Sequence, residues 1–154
     1  MQVQRLSHFG LCVSDLQRSL AFYRDVFGFR ELSRLALEGA EAETLLGLPG
    51  GKLQAVYLER DGTRIELLFY PDAGQTSRES PRAMNQVGLS HLSFRVSDLD
   101  ATIAAVKAAG GDCMDATHVD NQTWGTRAVF ILDPDGQRIE LLQAPGDPDA
   151  LPGA

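Results

Sequence analysis

Cysteine is scarce in this chain, with only Cys12 and Cys113 among 154 residues. Two thiols cannot build the disulfide framework of a small secreted scaffold, and nothing in the sequence calls for a single bridge between them. Long apolar runs are missing as well. No stretch approaches the about 18 apolar residues that a membrane span needs, and the opening MQVQRLSHFG has neither the basic nor the apolar region of a signal peptide. A cytoplasmic protein with no membrane contact is the expectation. Basic charge is in deficit: 14 Lys and Arg against 21 Asp and Glu give a formal net charge of −7. Such a chain repels a polyphosphate backbone, which argues against nucleic acid as a partner. Histidine is rare too, and His8, His91 and His118 complete the set.

What is left is an ordinary globular composition, 44% hydrophobic and 23% charged, in a chain long enough for a sizeable core. Within it one phrase occurs twice. LSHFGLCVSDL, from Leu6 to Leu16, returns as LSHLSFRVSDL from Leu89 to Leu99. DGTRIELL, from Asp61 to Leu68, returns as DGQRIELL from Asp135 to Leu142. Each copy thus carries a histidine and, later, a glutamate. The histidine motif recurs after 83 residues (His8 to His91) and the glutamate motif after 74 (Glu66 to Glu140), so the first copy is longer by nine. These intervals are too long for solenoid repeats, and two copies cannot make a propeller. The pattern predicts one domain over 1–144 made of two homologous modules: module one 1–70, a polar, turn-rich linker 71–86, and module two 87–144. A flexible tail rich in Pro, Gly and Asp follows at 145–154.

Inside each module the periodicity predicts βαβββ, hence an α+β fold. Residues 3–13 alternate as a strand with Leu6, His8, Gly10 and Cys12 on one face. Ser14 and Gln17 form a capping box, Asp15 suits the positive end of a helix, and Leu16, Leu20, Tyr23 and Phe27 form an apolar stripe before Gly28 as C-cap. A shift of 83 residues carries the stripe to Leu99, Ile103, Val106 and Gly110, with Ser97 and Asp98 at the cap. Three strands follow in each copy: 30–37, 53–59 and 63–69, then 112–119, 126–132 and 138–143. Arg60 to Gly62 and Asp133 to Gly136 are short turn signals that favour hairpins. The extra residues of module one, 43–51, predict a helical turn and a loop.

Along the two IELL strands, Glu66 and Glu140 face away from Ile65, Leu67, Ile139 and Leu141. Were the sheets to curl, these carboxylates would line the concave side with the histidines. A buried carboxylate needs a partner, a metal or a proton. The plain explanation pairs each glutamate with Arg64 or Arg138 and makes each histidine a satisfied core residue. For one residue alone that explanation prevails, because structural ion pairs outnumber catalytic ones. For four residues in a duplicated frame a metal site is the better reading. Phe22, Tyr23, Phe27 and Phe29 are accounted for by packing.

The paired HisxxxxVSDL openings, Trp124 with Gly125, and DPDGQRIE at 133–140 resemble the vicinal oxygen chelate superfamily over about residues 3–143. That superfamily includes glyoxalase I, methylmalonyl-CoA epimerase, extradiol dioxygenases, fosfomycin-resistance enzymes and bleomycin-binding proteins. The resemblance implies paired βαβββ modules with cupped mixed sheets around one divalent metal per site (Ni, Co, Zn, Mn or Fe), its ligands on His8, Glu66, His91 and Glu140. It implies a lyase or isomerase of glyoxalase I or epimerase type for a small oxygenated or carbonyl substrate. In that chemistry the metal polarises a carbonyl while Glu140 moves the adjacent proton, with Glu66 as its quasi-symmetric counterpart. A homodimer is implied too, and the family closes its modules either within a chain or across two.

Two other readings accompany it. One is an iron(II) extradiol-type dioxygenase, with His8, His91 and Glu140 as its triad and His118 as an acid or base. The other is a non-catalytic, ligand-sequestering protein of bleomycin-resistance type. The arginine and asparagine with which glyoxalase I engages glutathione fall on Cys12 and Tyr70, which counts against glutathione hemithioacetal. The glutamine usual in the epimerases falls on Glu66. Arg95, in the place of Cys12, is a candidate for a substrate carboxylate, and Trp124 and Tyr70 are candidates for the cavity wall. The two copies differ most at Cys12 against Arg95 and at Tyr70 against Gln143.

Overall fold

The structure is a computed structural model that describes residues 2–72, 74–76 and 82–150. Its first strand is shorter than the alternation predicts: β1 is Phe9–Cys12, with His8 one residue ahead of it. Helix α1, Leu16–Asp25, is capped by Asp15, whose carboxylate accepts from the Arg18 amide at 3.0 Å. The predicted Ser14 cap gives way because an ionised carboxylate suits the positive helix end better than a hydroxyl. Ser14 Oγ instead accepts from the Arg18 guanidinium at 2.8 Å. All four stripe residues, Leu16, Leu20, Tyr23 and Phe27, are buried. The helix ends at a Val26 cap, and Gly28, at φ 67°, carries the reversal, its amide bonded to the Arg24 carbonyl.

Strand β2 (Arg30–Leu37), helix α2 (Ala40–Leu46), strand β3 (Leu53–Arg60) and strand β4 (Thr63–Phe69) complete the first unit. Helix α2 starts three residues ahead of the predicted extra stretch 43–51 and covers its first four residues. The sheet order is β1-β4-β3-β2, with β1 parallel to β4 and the rest antiparallel. Val56, Leu58, Ile65 and Leu67 are buried on the face opposite Glu66, and Phe22, Tyr23, Phe27 and Phe29 are buried with them.

The second unit repeats the plan. Strand β5 (Leu92–Arg95) leads into α3 (Leu99–Ala108), which is capped by Asp98 accepting from the Ala101 amide at 2.9 Å. The predicted strand 112–119 is broken. Strand β6 is Asp112–Cys113, a single 3-10 turn covers Asp115–Thr117, and β7 is Val119–Asn121. Thr117 explains the break, since its hydroxyl donates to the Met114 carbonyl and accepts from the Phe130 amide, replacing ladder bonds with side-chain ones. Strands β8 (Thr126–Leu132) and β9 (Arg138–Gln143) give the order β5-β9-β8-β6, with β7 on β8. The α+β class and the two βαβββ modules are therefore as the sequence predicts. The chain clusters into two units, Met1–Ser77 and Arg78–Ala154. Residues 73 and 77–81 of the linker and 151–154 of the tail lie outside the described residues.

The two hairpins differ by one residue. In module one Arg60 pairs with Thr63 across Asp61 and Gly62, both at positive φ (50° and 75°) as a tight two-residue turn requires. In module two the last pair is Leu132 with Arg138, and Asp133 Oδ1 gathers the amides of Asp135 and Gln137. Register also corrects one equivalence. Gln54 pairs with Phe69 as Arg127 pairs with Gln143, so Gln143 matches Phe69, and Tyr70 matches Ala144. Gln143 accepts from the Leu99 amide at 2.9 Å and so helps to cap α3. Cys12 is exposed and Cys113 buried, and no disulfide joins them. Among the described residues no helix is long and apolar enough to cross a membrane.

Candidate metal centre

In each module the histidine precedes the first strand and the glutamate lies mid-way along the last, and parallel pairing puts the two side by side. Gly10 pairs with Glu66 and Ser93 with Glu140. Because side chains alternate, His8 shares a face with Glu66, and His91 with Glu140. His8 Nε2 stands 3.0 Å from Glu66 Oε2, and His91 Nε2 stands 3.8 Å from Glu140 Oε2. The other ring nitrogen is engaged in both copies: Ser7 Oγ contacts His8 Nδ1 at 3.0 Å, and Ser90 Oγ contacts His91 Nδ1 at 2.8 Å. Fixing Nδ1 fixes the ring orientation and leaves Nε2 facing the carboxylate. Each imidazole also meets the edge of an aromatic ring, His8 with Tyr57 at 5.2 Å and His91 with Phe130 at 5.3 Å between centroids.

The carboxylates are held differently. Glu66 has only 10% of its side chain exposed and accepts a hydrogen bond from the Tyr57 hydroxyl. That bond, together with burial and the nearby carboxylate charge, pushes the Tyr57 phenol up to about 12, so it stays a donor far above neutral pH. Glu140 has 32% of its side chain exposed and accepts from Ser93 Oγ at 2.7 Å. Arg138, the partner considered for Glu140, bonds instead to the Arg82 carbonyl and the Met84 sulfur and lies over the Phe130 ring.

These donors fit a divalent cation. Ligand atoms each about 2.1 Å from a shared ion stand about 3 Å apart at a right angle and up to about 4 Å apart at wider angles. The 3.0 Å and 3.8 Å separations lie in that range. Among the described residues no group of three or more His, Cys, Asp or Glu side chains is close enough to hold a metal, and each module brings together one histidine and one glutamate.

The remaining candidates scatter. The Arg95 guanidinium binds the carbonyls of Ala144, Pro145 and Ala150, fastening the described part of the tail. Tyr70 follows β4, and burial, with the Cys12 thiol and Glu66 nearby, raises its phenol, which places Cys12, Tyr70 and Glu66 in one neighbourhood. Trp124 is 72% exposed in the turn before β8, where Asn121 Oδ1 accepts from its amide. His118 is exposed and helps to lower the pKa of Asp100, at the start of α3, whose chief partner is Arg127. Sequence reasoning passed over Ser7, Ser90, Tyr57 and Ser93. The two serines were visible in the repeated LSH. Tyr57 and Ser93 carried no repeat signal, because their counterparts are Phe130 and Gly10.

The family model described as Glyoxalase/Bleomycin resistance protein/Dioxygenase superfamily matches residues 5–141. A probable lactoylglutathione lyase of Vibrio parahaemolyticus is 36% identical over 141 residues, which cover 90% of each chain. Among solved structures, a glyoxalase family protein from Bacillus cereus superposes with a TM-score of 0.79 at 20% identity, over 95% of this chain and 97% of that one. The fosfomycin resistance protein FosX from Listeria monocytogenes, complexed with Mn(II) and sulfate, gives a TM-score of 0.61 at 19% identity, over 94% and 95% of the two chains.

Proposed function

This chain belongs to the Glyoxalase/Bleomycin resistance protein/Dioxygenase superfamily, and on that premise we propose that it is a divalent-metal-dependent lyase or isomerase acting on a small carbonyl compound. Its ligands are His8, Glu66, His91 and Glu140, two from each module. Two imidazoles and two carboxylates neutralise a divalent charge and suit Ni, Co, Zn, Mn or Fe. When bound, the cation supplies the positive charge that polarises the substrate carbonyl.

The protein's own groups do the rest. Ser7 and Ser90 orient the imidazoles, and Tyr57 keeps Glu66 in place. Glu140, more exposed and 0.8 Å further from its histidine than Glu66, takes the proton from the carbon beside the carbonyl and returns it to the neighbouring atom. That inequality between two carboxylates in one duplicated frame is the observation on which the assignment rests. Cys12 and Tyr70 stand where glyoxalase I has the arginine and asparagine that engage glutathione, so a substrate other than a glutathione adduct is preferred.

The test is metal analysis of anaerobically purified protein, followed by reconstitution with each cation and proton exchange of carbonyl compounds in deuterated buffer. Metal-dependent exchange without oxygen, lost in Glu140→Gln, is the expected result. Recovery by iron(II) alone with oxygen uptake would replace this reading by a dioxygenase. Function untouched in both His8→Ala and Glu140→Gln would leave a binding protein.

A further inference from the structure

Each carboxylate receives one hydroxyl, and the two hydroxyls arrive from opposite neighbours. Glu66, on β4, lies between Gly10 on β1 and Tyr57 on β3. Gly10 has no side chain to offer, and the phenol of Tyr57 is the donor. Glu140, on β9, lies between Ser93 on β5 and Phe130 on β8. Phe130 has no hydroxyl, and Ser93 Oγ donates at 2.7 Å. The aromatic rings keep the same edge contact with the histidine in both copies, 5.2 Å and 5.3 Å, so the packing is common to the modules and the source of the hydroxyl is what differs.

We propose that Tyr57 and Ser93 are positioning residues for the metal ligands, each hydroxyl fixing the rotation of one carboxylate, and that the two arrangements are interchangeable between the modules. An ionised carboxylate has about four acceptor directions, and a single donor in the second layer selects among its orientations. This inference rests on the metal site proposed above and adds two residues that touch no substrate.

The experiment is Ni(II) titration of the full-length protein by calorimetry, with thermal unfolding of the metal-free form as the control on folding. Tyr57→Phe and Ser93→Gly are each expected to weaken Ni(II) binding by about 10- to 100-fold, the usual effect of losing an outer partner, with the metal-free protein still folding cooperatively. Transplants then decide. Gly10→Ser added to Tyr57→Phe gives module one the arrangement of module two, and Phe130→Tyr added to Ser93→Gly does the reverse. Both are expected to restore affinity.

The backbone admits the first transplant. Gly10 is not at positive φ, and a Cβ there meets only Leu68 Cδ1, at 3.1 Å, the far end of a flexible side chain. Unaltered affinity in both single variants, with His8-dependent binding in the parent, would overturn the positioning role and leave the metal site standing. Weakened binding that neither transplant restores would overturn the interchange. A parent protein that binds none of Ni, Co, Zn, Mn or Fe(II) would remove both this inference and the proposed function.

Discussion

Glu66 and Glu140 occupy the same place in two copies of one fold, yet the first is nearly buried with a histidine nitrogen at 3.0 Å and the second is a third exposed with its histidine at 3.8 Å. Around them the copies diverge in a patterned way. The imidazole, its serine and the edge-on ring are repeated, whereas the hydroxyl donor and the residue four places after the histidine, Cys12 or Arg95, are not. Repeating the histidine–glutamate pair while changing what holds the carboxylate makes two chemically similar groups unequal, and the proposed division of roles rests on that inequality.

The largest effect that tests this inequality is catalytic. Glu140→Gln should lower kcat by about 10²- to 10⁴-fold, the range for loss of a general base, with metal still bound. Glu66→Gln should act chiefly by loss of metal, measured as cation content per chain after dialysis. Equal loss of metal in both would abolish the distinction. Mixing His8→Ala with His91→Ala chains adds the question of sharing, because recovered activity after subunit exchange means that one site draws on two chains.

A second comparison concerns the cores. Leu67 and Leu141 are equivalent and both fully buried, so Leu67→Ala and Leu141→Ala should each cost about 2–5 kcal/mol, and by similar amounts. Urea unfolding measures this, and a clear inequality would show that the copies are packed to different tolerances.

The smallest effect is a difference in surface charge. In module two Arg127 grips Asp100 with two bonds, at 2.9 and 3.0 Å, where module one has Gln54 and Gln17. The guanidinium holds the Asp100 carboxyl below its ordinary value. A group whose folded pKa is depressed contributes stability above its unfolded pKa, about 4, and loses it as pH falls through the folded value. Asp100→Asn should therefore lower the urea midpoint slightly at pH 7 and leave it unchanged at a pH below both values. Salt should shrink the difference. A variant that is equally destabilised at both pH values would show that the pair acts by packing.

Most of the fold was legible because duplication wrote it twice. The helices, the last two strands of each module and the shared face of histidine and glutamate follow from period and offset. What was not legible depends on choices that period does not encode. Asp15 displaces Ser14 at the cap because a carboxylate suits the positive helix end better than a hydroxyl, and Thr117 breaks a strand because one hydroxyl satisfies two backbone groups at once. At the candidate centre the repeat pointed to the two histidine–glutamate pairs that stand side by side. Tyr57 and Ser93 escaped because residues that differ between copies look like noise until strand register sets them beside the same carboxylate.

The hairpin of module two is one residue longer than that of module one, and the excess sits wholly in the turn that Asp133 organises. Strand side chains alternate between faces, so the same residue inserted within β9 ahead of Glu140 would carry Glu140 round to the opposite face, away from His91. The turn thus works as an expansion joint, absorbing an odd insertion without transmitting a half-rotation to the carboxylate. Lengthening the segment between Asp133 and Gln137, with a reporter or a binding epitope, is accordingly expected to cost the Asp133 turn bonds and still leave the register of β8 and β9 in place.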